Sequence, residues 1–136
     1  MSFLLDTNIC IFALRGMETV LAAMAQVLPR DVAVSSVTVA ELWFGSRKSR
    51  SPRRARAEQD AFLAPFQVLD FGKEAAERYA GLRHHLERRG TPIGERDQMI
   101  ASIALASGRR LVTNNVREFS RVPGLVVVDW SQQVRI

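Results

Sequence analysis

Three acidic residues stand where solvated charges do not belong. Asp6 ends the apolar run SFLLD, Glu41 lies inside VTVAELWF, and Asp97 opens the otherwise apolar stretch DQMIASIALA. A lone buried carboxylate is costly unless it is paired or bound to a metal. Three carboxylates drawn together repel one another, which raises their pKa values and destabilises the fold locally. A divalent cation removes that penalty. Oxygen-only ligation, with no His or Cys nearby, points to Mg2+ or Mn2+ rather than Zn2+.

Each acid also has a structural explanation. Asp6 could cap the helix that follows it, and Asp97 could complement a helix N-terminus. Glu41 is harder to explain that way, because Val39, Ala40, Leu42, Trp43 and Phe44 surround it. The remaining acids are less informative. Glu74, Glu77 and Glu87 share a helix with several arginines, and Glu58 and Asp60 follow a basic run; all five read as solvated ion-pair partners. His84 and His85 are adjacent on a helix, so they face different directions and form no compact metal pair. In VTNN, Asn114 and Asn115 could be turn residues only, while Thr113 and Asn115 could orient a water in the site.

These residues need elements to position them. Short apolar runs at Ser2–Leu5, Val32–Ser36, Phe66–Asp70, Arg110–Asn114 and Leu125–Asp129 predict strands. Helical spacing predicts helices over Met17–Leu28, Val37 to Lys48 with Ser36 as N-cap, Pro52 to Ala64, Gly72–Arg89 and Glu95–Ser107. A further helical turn or two follows Asp6. Strands apolar on both faces and separated by helices predict an α/β fold, a parallel sheet of four to five strands sandwiched between helices. The 136 residues fit a single domain, 1–136, able to bury its own core. In such sheets ligands bind beyond the carboxyl ends of the strands, where Asp6 sits.

The net charge of +5 and a pI near 10.6 favour a polyanionic partner. The basic residues concentrate in RKSRSPRRAR, Arg47 to Arg56, six of ten with no acid among them. Arg47, Lys48, Arg50, Arg53 and Arg54 are candidates for gripping a phosphate backbone, and a solvated helix face is the alternative. The single cysteine, Cys10, precludes an internal disulfide and reads as a small buried hydrophobe. No stretch is long enough to span a bilayer and no basic leader precedes the first strand, so the expectation is a cytoplasmic protein without membrane partners.

Taken in order, FLLDTNICIFALRG, SSVTVAELWFGSRKS, TPIGERDQMIASIALASGRRLVTNNVREFSRVPGL and the closing VVVDW resemble the PIN-domain ribonucleases, and more narrowly the VapC toxins of bacterial toxin–antitoxin pairs. The resemblance covers nearly the whole chain. It implies a PIN domain with its acids clustered around Mg2+ or Mn2+. Asp6, Glu41 and Asp97 match the family's first three acids. Asn115 stands where a fourth acid is frequent, which lowers the pocket's negative charge and weakens the case for a second tightly bound metal. Asn8 and Thr113 match supporting polar positions: Asn8 would hold Asp6, and Thr113 a water or outer ligand.

The resemblance implies metal-assisted hydrolysis of RNA phosphodiesters, leaving 3′-hydroxyl and 5′-phosphate ends. The RNA would be single-stranded or looped, with tRNA, initiator tRNA in particular, as the target. It also implies a cognate VapB-type antitoxin that blocks the cleft, operator DNA bound only through that antitoxin, and a toxin homodimer. Met17, Met24, Trp43 and Phe44 are candidate docking residues, or simply core. The rival reading is a non-catalytic RNA-binding module on the same fold. A haloacid-dehalogenase-type phosphatase would need a second aspartate where Asn8 stands, and a receiver domain paired acids ahead of its aspartate. A DNA nuclease on this fold stays open.

Overall fold

The apolar runs form β1 (Phe3–Leu5), β2 (Val32–Ser35), β3 (Gln67–Leu69), β4 (Arg110–Val112) and β5 (Val127–Val128). This is a computed structural model, and it describes residues 1–132. The strands make one sheet in the order β3-β2-β1-β4-β5, with every pairing parallel. The helices are α1 (Thr7–Leu14), α2 (Glu18–Ala25), α3 (Ser36–Arg47), α4 (Pro52–Leu63), α5 (Lys73–Arg89), α6 (Glu95–Ser107) and α7 (Val116–Phe119). They cover both faces, as a parallel sheet requires.

Strand side chains alternate between two cores. Leu5, Val34 and Val112 pack with Ile9, Val20 and Leu42. Leu4, Ala33 and Leu111 pack on the other face with Leu86, Ile100 and Phe119. From β1 the chain steps to β2 and β3 on one side, then returns to lay β4 and β5 on the other. β1 and β4 therefore flank the switch point, where a crevice opens beyond the strand ends. Asp6 and Thr113 leave this pair side by side, and the Asp6 N–H donates to Val112 O at 2.9 Å.

The expected parallel sheet between helices is the observed one, and Glu95–Ser107 is helical over its full predicted length. All five strands are shorter than expected, by one to three residues at their ends, and Ser36 joins the helix that follows β2. The helix expected over Met17–Leu28 stops at Ala25 and is followed by a 3-10 turn at Pro29–Asp31. Leu21 and Leu28 are exposed, so only part of that apolar stretch faces the core. The N-cap of α3 is Ser35 rather than Ser36: the Ser35 hydroxyl accepts from the Thr38 N–H at 3.0 Å. Gly90 and Gly108 end α5 and α6 in the left-handed conformation, which glycine adopts without a Cβ clash. Cys10 is fully buried, as expected, and burial pushes its thiol pKa well up. No single described helix is long and apolar enough to cross a membrane.

At the opposite edge of the sheet, Arg109 ties three strand starts together. Its Nη1 donates to Phe3 O and Asp31 O, and its Nη2 to Gln67 Oε1, each at 3.3 Å. A planar guanidinium reaches three acceptors from one fixed position; a lysine ammonium does not. Arg109→Ala is expected to lower stability by about 1–2 kcal/mol, the worth of hydrogen bonds donated by a charged group. Arg109→Lys should recover little of it. Urea denaturation of the three proteins reads this directly, and an unchanged midpoint in Arg109→Ala would contradict the staple.

Candidate active site

Asp6 is 4% exposed and serves as the N-cap of α1. Its Oδ1 accepts the Thr7 N–H at 2.8 Å, and its Oδ2 accepts the Thr113 hydroxyl at 2.7 Å. The capping role and a place in the site are thus compatible. Glu41 reaches the same crevice from α3. Its Oε1 accepts the Thr7 hydroxyl at 2.7 Å, so one threonine links the two acids.

Behind Thr7 lies a chain of buried hydroxyls. Thr7 Oγ1 and Thr38 Oγ1 are 2.9 Å apart, and Ser35 Oγ lies 3.3 Å from Thr38 Oγ1. Thr7 gives its one hydroxyl proton to Glu41. Thr38 then donates to Thr7, and Ser35 to Thr38. All three hydroxyls are buried and satisfied, and such chains strengthen cooperatively.

Asp97 enters from the first turn of α6, half-buried beside the other acids. Burial first, then the charges of Asp6 and Glu118, raise its pKa to about 7. Asp6 is also raised, by burial first, although its bonds from Thr113 and Thr7 oppose the shift. Glu118, on α7, goes the other way. Burial alone would raise it, but the Gly94 N–H, the Asn115 amide and Asp97 all hydrogen-bond to it and hold it below the usual carboxylate range. Gly94 N donates to Glu118 Oε1 at 3.0 Å, and Asn115 Nδ2 donates to Oε2. The proton of this pair therefore rests on Asp97.

The predicted residues divide as follows. Asp6, Glu41, Asp97, Thr113 and Asn115 converge on one crevice. Asn8 does not hold Asp6: it is exposed, and its Nδ2 lies 3.4 Å from Asn114 Oδ1. Thr7 takes that role, because the residue after a strand-end cap turns its N–H back onto the carboxylate. Asn115 replaces no acid; its amide orients Glu118, and its N–H donates to Thr113 Oγ1 at 3.1 Å. Glu118 is a fourth carboxylate in the pocket. The sequence signal for it was its position three residues past Asn115 in a helical turn, which puts both on one face. The arginine of Arg96 meets Glu41 Oε2 at 3.6 Å from an exposed position.

Arg47, Lys48, Arg50, Arg53 and Arg54 are exposed and lie apart from the carboxylates. Arg47 is about 9 Å farther along α3 than Glu41, at 1.5 Å per residue. Arg54 pairs with Glu58 in an exposed ion pair, and Arg56 with Asp60, as expected for those two acids. Met17 and Met24 pack against the core. Trp43 and Phe44 instead face solvent, under the Arg56 guanidinium and the Lys48 ammonium respectively.

Among the described residues, no three acids close to metal-ligand spacing. Asp6 and Glu41 are held by Thr7, and Asp97 is bonded to Glu118. The set nevertheless offers only oxygen donors and a carboxyl whose proton is poised near neutrality. Those are donors for a hard divalent cation.

The sequence matches the PIN domain family over residues 3–125. It is 39% identical over 130 residues to the tRNA(fMet)-specific endonuclease VapC of Salmonella typhimurium, spanning 96% of this chain and 98% of that one. This chain belongs to the PIN-domain family, among the VapC proteins. A second VapC, the tRNA(fMet)-specific endonuclease of Shigella flexneri, is 41% identical over 131 residues, 96% of this chain and 99% of its own. The fold superposes on the crystal structure of DNA-bound VapBC from Salmonella typhimurium with a TM-score of 0.90 at 40% identity, covering 96% of this chain and 98% of that chain.

The Asp97 pKa makes the metal-free stability of this VapC-family chain pH-dependent. Unfolded aspartate titrates near 3.9, so the folded state binds one more proton than the unfolded state between about 4 and 7. This group's contribution is complete below pH 4 and lost as pH rises through about 7. Asp97→Asn keeps a donor to Glu118 and removes the effect. In EDTA, the variant should gain stability relative to wild type as pH goes from 5 to 8. Parallel pH slopes in chemical denaturation would contradict the assignment.

Proposed function

We propose that this chain is a Mg2+- or Mn2+-dependent endoribonuclease toxin that cleaves tRNA and thereby inhibits translation. The observation that carries this reading is the convergence of Asp6, Glu41, Asp97 and Glu118 at the switch point of a parallel sheet. Its support from relatives is the full-length likeness to tRNA(fMet)-specific endonucleases. Initiator tRNA is accordingly the target of choice.

Asp6, Glu41 and Asp97 would hold the cation, with Glu118 beside them. Bound there, the cation supplies positive charge against the phosphodiester and acidifies a water for attack at neutral pH. The protein's own residues prepare the site. Thr7 fixes one oxygen of Glu41 and one of Asp6, and Thr113 fixes the other Asp6 oxygen. Asp97 would give up its proton under the bound cation's charge, while Gly94 and Asn115 hold Glu118 in its ionised form. The exposed cations Arg47, Lys48, Arg50, Arg53 and Arg54 bind the RNA backbone, contributing affinity without sequence readout.

The partner is a cognate VapB-type antitoxin, with operator DNA bound through it and the toxin as a homodimer. The structural relatives of this chain include VapBC complexes bound to DNA. A cationic antitoxin side chain would compete with Arg96 for Glu41 Oε2. Trp43 and Phe44 offer exposed aromatic surface on the same helix.

Incubating total RNA with antitoxin-free protein tests this reading. Wild type should yield discrete fragments with 5′-phosphate ends in Mn2+ or Mg2+ and none in EDTA. Asp6→Ala, Glu41→Ala and Asp97→Ala should each lose more than the ~10–100-fold typical of a supporting residue. Asn115→Ala should fall within that range. RNA bound but never cut would favour the binding-module reading, and Asn115→Ala outranking Asp97→Ala would overturn its supporting role.

A further inference from the structure

The exposed cations of the Arg47–Arg56 run lie on the α3–α4 side of the sheet, yet a second cationic concavity lies on the α5–α7 side. It has a volume of about 390 Å3 and is lined by His85, Arg89, Thr91, Ser120, Arg121 and Pro123, with no acid among them. It lies next to the carboxylates in the chain: Ser120 and Arg121 follow α7, which carries Glu118, and Thr91 begins the loop whose Gly94 N–H donates to Glu118. Arg121 follows Glu118 by three residues, so the two positions lie on one side of the turn.

Several donors in this concavity are unspent, although the Arg121 charge also helps hold Glu118 ionised. Arg121 Nη1 donates to Pro92 O at 3.2 Å, which fixes the guanidinium against the loop. Its Nε and Nη2 have no protein acceptor among the described residues. Arg89, in the last turn of α5, makes no ion pair there, since the neighbouring Glu87 is taken by Arg83. The Thr91 hydroxyl likewise has no partner. Ser120 adds nothing, because its hydroxyl proton goes to Arg117 O. Two guanidinium forks and a hydroxyl suit a phosphodiester, which accepts bidentate N–H pairs. An acidic centre repels a polyanion, so a strand crossing it needs cations on both flanks.

The geometry points to a phosphate-binding subsite formed by Arg89, Arg121 and Thr91, which grips the RNA backbone on the α5–α7 flank of the scissile bond. It rests on the nuclease reading for its substrate. The strand would then run from the α3–α4 cations, across the carboxylates, to this concavity.

The test is binding of labelled tRNA to the full chain in EDTA, by fluorescence anisotropy over a KCl series. Arg89→Ala should weaken binding about tenfold and flatten the log–log salt slope by about 0.7, the value of one single-strand phosphate contact. Arg121→Lys keeps the charge but loses the fork, and should weaken binding by less. Arg30→Ala, an exposed arginine at the far edge of the sheet, should change nothing. Thermal melts matching wild type exclude misfolding as the cause. Unchanged affinity and slope in both Arg89→Ala and Arg89→Glu would overturn the subsite, as would a wild type that binds no tRNA. A cleavage assay in Mn2+ keeps the two readings apart. An intact Arg89 effect without any cleavage sinks the nuclease reading alone, and normal cleavage without an Arg89 effect sinks the subsite alone.

Discussion

Everything around the β1–β4 crevice answers one constraint, that like charges have been drawn together in a half-buried crevice. Asp6, Glu41, Asp97 and Glu118 come from four separate elements and meet at one sheet edge. Left alone they would repel and take up protons. The fold limits this in three ways. Asp6 caps α1 and Asp97 sits in the first turn of α6, so two helix N-termini point their positive ends at the site. Thr7, Thr38 and Ser35 satisfy Glu41 through a one-directional chain of hydroxyls. Asn115 and Gly94 stabilise the charge on Glu118, which displaces the remaining strain onto Asp97.

That displaced strain connects fold to chemistry. A carboxyl poised near neutrality gives up its proton readily when positive charge is placed beside it. The opposite edge of the sheet carries none of this tension. There Arg109 donates to two backbone carbonyls and the Gln67 side chain and ties the three strand starts together. Stability is concentrated at one edge and reactivity at the other, as open α/β sheets permit.

Asp6, Glu41 and Asp97 were legible in the sequence because each charge interrupts an apolar context. Glu118 was not picked out, since it sits among the charged residues of VREFSR and only its spacing from Asn115 marks it. It reaches the site because the fully buried Phe119 anchors α7. Thr7 was missed because an uncharged hydroxyl beside two more conspicuous polar residues carries no signal of its own, and Asn8 drew the role instead. The apolar composition of Met17–Leu28 predicted a longer helix than forms, because composition does not say which leucines face water. Trp43 stays at the surface with Arg56, contributed by the next helix, stacked over its ring, a contact that spacing within one helix cannot reveal.

The central claim is that these four carboxylates form a single divalent-cation site. Calorimetric titration of Mn2+ into the metal-free protein at pH 7, in two buffers of different ionisation enthalpy, tests it most directly. The account predicts saturable binding accompanied by proton release, with both lost in Asp6→Asn and with weakened binding and diminished proton release in Asp97→Asn. Binding without proton release, or binding that Asp6→Asn leaves intact, would contradict it.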